Sequence, residues 1–156
     1  MRILSKIAVS VSLLVVSMTP AFAAEWKFVE AETYCAAAGT NKDGSLFGLR
    51  FNKDNPPGVF LISAYNPAWQ ITTTSAPLTL ETQGGGGTRS FAANAKVIDP
   101  TSVDFGAIEG AEAFLEGIAL ANTLLIKGKD GRVLSSFSLS GSKAAVTAAL
   151  KCQVGQ

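Results

Sequence analysis

Two cysteines, Cys35 and Cys152, stand 117 positions apart in a chain of 156 residues. With only two cysteines, a single pairing is possible. A bridge over so long a loop stabilises a fold by about 4 to 5 kcal/mol in the chain-entropy model. The alternative is a redox-active pair, but such cysteines usually lie close together as Cys-x-x-Cys with cationic neighbours. We therefore expect a structural disulfide that ties two distant segments of one fold together.

The first 23 residues have the pattern of a secretory signal peptide. Arg2 and Lys6 precede an apolar run at 7–16, and Ala21-Phe22-Ala23 supplies the small-x-small cleavage motif. The apolar run is too short for a membrane span, which needs roughly 20 residues. We expect residues 1–23 to be removed on export, leaving a mature protein with no membrane span. Its location is then periplasmic or secreted, where disulfides persist.

Composition removes several classes of function. The 13 Lys and Arg balance 12 Asp and Glu at a net charge of +1, and no long basic run is present. A nucleic-acid partner is therefore not expected, because binding to nucleic acid draws on clustered basic residues. The sequence also contains no His, which excludes His-based triads and the imidazole ligands of most catalytic zinc sites. We expect no metal and no cofactor.

The middle of the chain reads as a series of short strands. Phe47, Leu49 and Phe51 alternate, which predicts a strand with one buried face. Residues 59–64 are apolar on both faces and predict a central strand buried on two sides. Alternation at 69–74 predicts a half-exposed strand, and the four glycines at 84–87 predict a loop tip between strands.

The last third adds two helices and a hairpin. Ile108, Ala111, Leu115 and Ile118 recur at helical spacing, which predicts an amphipathic helix over 108–121. Asp-Gly at 130–131 between alternating runs predicts a hairpin. An Ala-rich run at 144–150 predicts a helix that ends at Cys152. We place its N-cap at Ser140.

These elements predict one α+β domain over residues 24–156. Its core is mostly antiparallel β-sheet, either sandwich-like or an open barrel, with an amphipathic helix and a C-terminal helix stapled by the disulfide. The sequence contains no internal repeat and no composition shift that would mark a second domain.

No arrangement of residues predicts catalysis. Ser140 and Lys143 have the spacing of a Ser-x-x-Lys motif, but the companion motifs of penicillin-recognising enzymes are missing. The carboxylate pairs Asp43 with Asp54 and Asp99 with Asp104 have no diagnostic pattern around them. We expect turn, capping or solubilising roles for these residues and no catalytic residue.

A partner-binding surface is predicted where an aromatic strand junction and a glycine-rich loop remain free. Loops on a rigid scaffold commonly carry recognition, and Tyr and Trp are favoured anchors. The alternative is that Trp69 belongs to the core and the glycines only span a gap. The predicted binding residues are Tyr65, Asn66, Trp69, Gly84, Gly85, Gly86 and Gly87.

Residues 133–152, which read Val-Leu-Ser-Ser-Phe-Ser-Leu-Ser-Gly-Ser-Lys-Ala-Ala-Val-Thr-Ala-Ala-Leu-Lys-Cys, resemble the closing strand, turn and helix of small periplasmic proteins of the invasion-associated locus B type. The resemblance covers about twenty residues, together with a layout of signal peptide, early Trp and β-rich middle. It implies an exported, non-enzymatic protein linked to the bacterial envelope or to a host, and it carries no catalytic residues.

We therefore expect an exported, non-enzymatic binding protein whose partner is an unknown protein or glycan. Two alternatives stay open. One is an inhibitor of a secreted hydrolase, and the other is a small envelope enzyme that uses carboxylates.

Overall fold

The computed structural model describes residues 24–156 apart from Ala107 and Glu109. The predicted signal peptide at 1–23 lies outside the described residues. Within the described residues, the nine strands and two helices are β1 (Glu25–Glu30), β2 (Tyr34–Thr40), β3 (Leu46–Asn52), β4 (Leu61–Tyr65), β5 (Ser75–Gln83), β6 (Thr88–Asp99), β7 (Ser102–Asp104), α1 (Ala111–Leu120), β8 (Thr123–Gly128), β9 (Val133–Ser138) and α2 (Ser142–Gln153).

The strands form one antiparallel sheet in the order β1-β2-β3-β4-β7-β6-β5-β8-β9. The sheet curls into a half-barrel around both helices, which confirms the predicted α+β class and its open-barrel form. Side chains alternate between the two faces of a strand, so each strand sends every second residue inward. The inward aromatic residues meet in one cluster, in which the ring of Phe114 on α1 lies 5.2 Å from Phe91 and 6.3 Å from Phe47.

The C-terminal helix is held to the sheet by a covalent bond. Cys35 on β2 and Cys152 on α2 form the predicted disulfide. Ala145 and Ala149 are buried against the sheet, and their small side chains allow the helix to pack closely. The neighbouring Gln153 fixes the loop between β3 and β4, because its amide donates to the carbonyl of Val59 and accepts from the N–H of Gly58.

Side chains, rather than a strand, bind the free edge of β9 in the described part of the chain. Three backbone carbonyls along this edge face side chains from the ends of β1, β2 and β4. The contacts are Trp26 Nε1 to Ser138 O at 2.7 Å, Asn41 Nδ2 to Ser136 O at 2.8 Å and Asn66 Nδ2 to Leu134 O at 3.5 Å. The strand β9 therefore crosses the ends of β1–β4. This fits the dimensions, since four residues of a strand and three strand spacings both measure about 14 Å.

Three local predictions are wrong. The strand β4 is central in the sheet but buried on one face only, and its Leu61 is exposed. Residues 69–74 form a loop, because the N–H of Ile71 bonds to the carbonyl of Pro100 and takes no part in a ladder. The cap of α2 is Gly141 and not Ser140, with no side-chain capping bond.

Candidate binding face

The half of the sheet formed by β1–β4 has an uncovered apolar side. The helices and the aromatic cluster cover its inner side, which buries residues such as Phe47, Leu49 and Ile62. The strand register places the intervening residues together on the opposite side. We call this side the apolar face, and it consists of Val29, Ala36, Ala38, Leu46, Gly48, Arg50, Leu61, Ser63 and Tyr65.

Three of the large hydrophobic residues of the apolar face are open to solvent, whereas Leu46 is half-buried. Val29 is 44% exposed, Leu61 43% and Tyr65 39%. They surround a centre of small residues, where Ala38 on β2 pairs with Gly48 on β3 and Gly48 pairs with Ser63 on β4. The face is therefore flat in the middle and bordered by larger side chains.

Gly48 determines how flat the centre is. A Cβ built on Gly48 would lie 3.5 Å from Ser63 Oγ and 3.7 Å from Leu46 Cδ2, which are ordinary contact distances. The backbone does not require glycine here, since the residue is not among those with positive φ. A larger side chain at this position would fill the centre of the face and leave the strand intact.

Charged groups of both signs lie within the apolar face and at its β1 edge, and Arg50 stands between Ala36 and Leu61 in the strand register. The guanidinium of Arg50 lies 4.4 Å from the ring centroid of Tyr34, and its Nε donates to Asn52 Oδ1 at 2.8 Å. Stacking and hydrogen bonding together hold this planar cation in one orientation. At the β1 edge, Lys27 Nζ lies 3.3 Å from Glu25 Oε1. The face thus contains one ordered cation, and its β1 edge carries one ion pair.

The predicted aromatic junction is only partly a surface. Tyr65 lies on the apolar face. Asn66 is buried and its Nδ2 donates to Ser135 Oγ at 2.7 Å, so it acts inside the fold. Trp69 is half-buried against the core, and its buried Nε1 has no hydrogen-bond partner among the described residues. The packing agrees with the alternative in which Trp69 belongs to the core.

The structure separates the glycine loop from Tyr65. Residues 84–87 join β5 to β6 beyond the pair Gln83 and Thr88, whereas Tyr65 pairs with Ser102 near the other end of β6. The strand β6 has 12 residues and spans roughly 40 Å, so the two halves of the predicted surface do not meet. The glycines rest on the end of α1, and the pocket beneath them holds about 20 Å³, which is room for a single water. A binding role for these glycines stays a prediction.

The carboxylates with shifted pKa values are engaged in local hydrogen bonds. The Ser45 hydroxyl and N–H lower the pKa of Asp43, and the Thr101 hydroxyl and N–H lower the pKa of Asp99. The hydrogen bond from Lys127 is the largest cause that lowers the pKa of Glu81. All three carboxyl groups are therefore held in the ionised form, which is unsuited to a general acid at neutral pH.

The sequence did contain a signal for the apolar face. Residues 34–39 on β2 and 59–64 before and within β4 are apolar on both faces of the strand. The second run predicts a strand buried on two sides, because that is the usual meaning of the pattern. Both runs have the apolar composition of strands buried on two sides, but the helices cover only one side of the sheet.

Within residues 24–106, 108 and 110–156, no helix is long and apolar enough to cross a bilayer. No group of three or more acidic or cysteine side chains in those residues could hold a metal ion. Comparison with known proteins finds no matching family model, no matching curated protein and no matching solved structure.

Proposed function

We propose that this chain is an exported, non-enzymatic binding protein that recognises a partner protein through the apolar face. The observation that carries the proposal is a mismatch on β2 and β4. Both sides of each strand are apolar in sequence, but the helices pack against one side of the sheet only. Leu61 and Tyr65 of β4 are exposed, and Ala36 and Ala38 of β2 are only half-buried. Contiguous exposed apolar surface with a polar border is typical of interaction sites.

The shape of the face favours a protein over a small molecule. Small ligands are held in concave pockets that bury most of their surface, whereas the centre at Ala38, Gly48 and Ser63 is flat. Protein interfaces combine an apolar centre with a polar border, and Tyr and Arg are enriched in them. Tyr65 and the ordered Arg50 supply these two residue types.

The chemistry of the carboxylates supports a binding role over the alternative of a carboxylate enzyme. An enzyme of that kind needs one acid whose pKa is raised so that it can donate a proton. Asp43, Glu81 and Asp99 have lowered pKa values instead. We extend the proposal to a protein of the invasion-associated locus B type that acts in the bacterial envelope or on a host, on the strength of the resemblance at 133–152.

The test is capture of a partner from envelope extract by immobilised protein, compared among matched variants. Leu61→Asp and Gly48→Arg each place a charge on the apolar face and are expected to abolish capture of the same protein band. Leu120→Arg is the control, because Leu120 is 49% exposed at the end of α1, on the side of the sheet opposite the apolar face. Melting temperatures establish that all three variants are folded.

The proposal fails if capture is lost equally in Leu120→Arg, or if both face variants capture as the unchanged protein does. Hydrolysis of substrates by the purified protein, abolished by Asp104→Asn or Lys143→Ala, would instead establish an enzyme.

A further inference from the structure

The strand β1 is an edge of the sheet, paired only with β2 among the described residues. The N–H of Ala31 bonds to the carbonyl of Tyr34, which sets the alternation of the ladder. In antiparallel pairing, every second residue exchanges hydrogen bonds with its neighbour. The N–H and C=O groups of Lys27 and Val29 therefore face β2, while those of Trp26, Phe28 and Glu30 face outward.

This edge lacks the protection found at the other end of the sheet. The carbonyls of β9 accept bonds from Trp26, Asn41 and Asn66 side chains. The six residues of β1 contain no proline, and their register with β2 is continuous with no bulge. Natural edge strands that avoid pairing carry such interruptions or charged side chains. The charges of β1 are those of Glu25, Lys27 and Glu30, and they restrict the registers in which the edge can pair. Phe28 and Val29 are 39% and 44% exposed on opposite faces of the strand.

We propose that β1 pairs with β1 of a second copy of this chain, in an antiparallel arrangement whose twofold axis passes at Phe28. Directly opposite residues in such a pair share a face, so the axis must pass at the level of one residue. With the axis at Phe28, the outward residues match completely. Phe28 faces Phe28 of the second copy, and Trp26 faces Glu30 of the second copy in both directions.

Charge and hydrogen bonding distinguish this register from its neighbours. An axis at Lys27 would place two lysines directly opposite each other, which is destabilising. An axis at Val29 would leave the outward groups of Trp26 without a partner in the opposing β1. With the axis at Phe28, the residue facing Lys27 is Val29, which can pack on the aliphatic stem of the lysine. No like charges are directly opposed.

The helix that lies beside β1 is α2, and the side chains on one of its flanks are small. A Cβ built on Gly141 would lie 3.8 Å from Trp26 Cβ, and Cys152 is bonded to Cys35 on β2, whose pair on β1 is Glu30. The helix α2 therefore runs alongside β1. Four-residue spacing aligns Ala144 and Ala148 with Cys152 on one flank, and these side chains are small.

The expected dimer is weak. One pair of six-residue strands and a helix flank bury less than the standard interface of about 800 Å² per partner. We therefore expect a dissociation constant in the micromolar range. The pairing is independent of the proposed partner protein, and it places the two apolar faces side by side on one continuous sheet.

Sedimentation velocity of the purified protein from low micromolar to millimolar concentration tests the dimer without any variant. A reversible shift from monomer to dimer is expected. A protein that stays monomeric over this range overturns the proposal and leaves the edge to a strand from a different protein.

Substitutions that introduce a charge at Phe28, on the twofold axis, test the register. Phe28→Lys and Phe28→Glu each place like charges opposite themselves, so each is expected to weaken dimerisation at least tenfold. An equimolar mixture is expected to dimerise again, because Lys then faces Glu. Val133→Glu on the exposed part of β9 is the matched control and keeps the dimer. Dimers that persist in both Phe28 variants, or a mixture that stays monomeric, would overturn the assignment.

Discussion

At the scale of single residues, Gly85 is the position where a side chain is least tolerated. Its φ is +62°, and a Cβ built on it would overlap the carbonyl oxygen of Leu120 at the end of α1. Gly86 also has positive φ, at +122°, but has nothing within 4 Å of its built Cβ. Strained backbone alone costs about 1 to 3 kcal/mol. We expect Gly85→Ala to lower the free energy of unfolding by more than Gly86→Ala does, as measured by urea denaturation. Equal losses would contradict the packing of this loop on α1.

The ion pair between Glu81 and Lys127 predicts a pH dependence of stability. The Oε2 atom of Glu81 lies 2.9 Å from Lys127 Nζ, and this hydrogen bond lowers the pKa of Glu81 in the fold. The unfolded chain has the ordinary Glu pKa of about 4.3. A lowered pKa therefore contributes stability above about pH 4.3, and the contribution disappears as the pH falls through the folded value.

We expect Glu81→Gln to be less stable than the unchanged protein by about 1 to 3 kcal/mol at neutral pH, since Lys127 loses its charged partner. The difference is expected to shrink as the pH approaches 3. Urea denaturation of both proteins at a series of pH values measures it. A difference in unfolding free energy that stays constant or grows on acidification would contradict the lowered pKa of Glu81.

At the scale of elements, the free edge of β9 is hydrogen-bonded to side chains and not to a neighbouring strand. Trp26→Phe removes the indole N–H that bonds to Ser138 O and keeps an aromatic ring, while Asn41→Ala removes the amide that bonds to Ser136 O. Each is expected to cost about 1 kcal/mol. The double variant is expected to exchange the amide hydrogens of β8 and β9 faster, as followed by mass spectrometry. Thr73→Ala removes an exposed hydrogen bond and serves as the control. If the amides of β9 are as protected from exchange in the double variant as in the Thr73→Ala control, these side-chain hydrogen bonds do not hold the edge of β9.

The elements that the sequence predicted well are those with a local cause. The hairpin at Asp130-Gly131 follows from the turn, and α2 follows from helix-forming residues between 144 and 150. The loop at 69–74 was predicted as a strand because alternation is a local pattern, whereas the bond from Ile71 to Pro100 is a distant contact. The apolar face depends on which side of β4 the helices cover. That choice is made by the topology of the whole sheet and is not visible in the alternation of one strand.

At the scale of the molecule, the disulfide joins β2, near the start of the described chain, to α2 at its end. The bond from Cys35 to Cys152 fixes α2 on β2, next to the proposed pairing edge. Most of the sheet lies in the sequence between these residues, so the bond restricts nearly the whole unfolded chain. A disulfide acts mainly by reducing the entropy of that unfolded state. Its loss is therefore expected to lower stability without moving the apolar face in the folded fraction.

We expect the double variant Cys35→Ser with Cys152→Ser to lose about 4 to 5 kcal/mol of unfolding free energy, given the sequence separation of 117. Intact mass after alkylation of the native, unreduced protein should show no labelled cysteine. Reductant should lower the melting temperature of the unchanged protein towards that of the double variant and leave the variant unaffected. Two labelled cysteines before reduction, or a reductant effect of equal size on both proteins, would remove the disulfide from the account of stability.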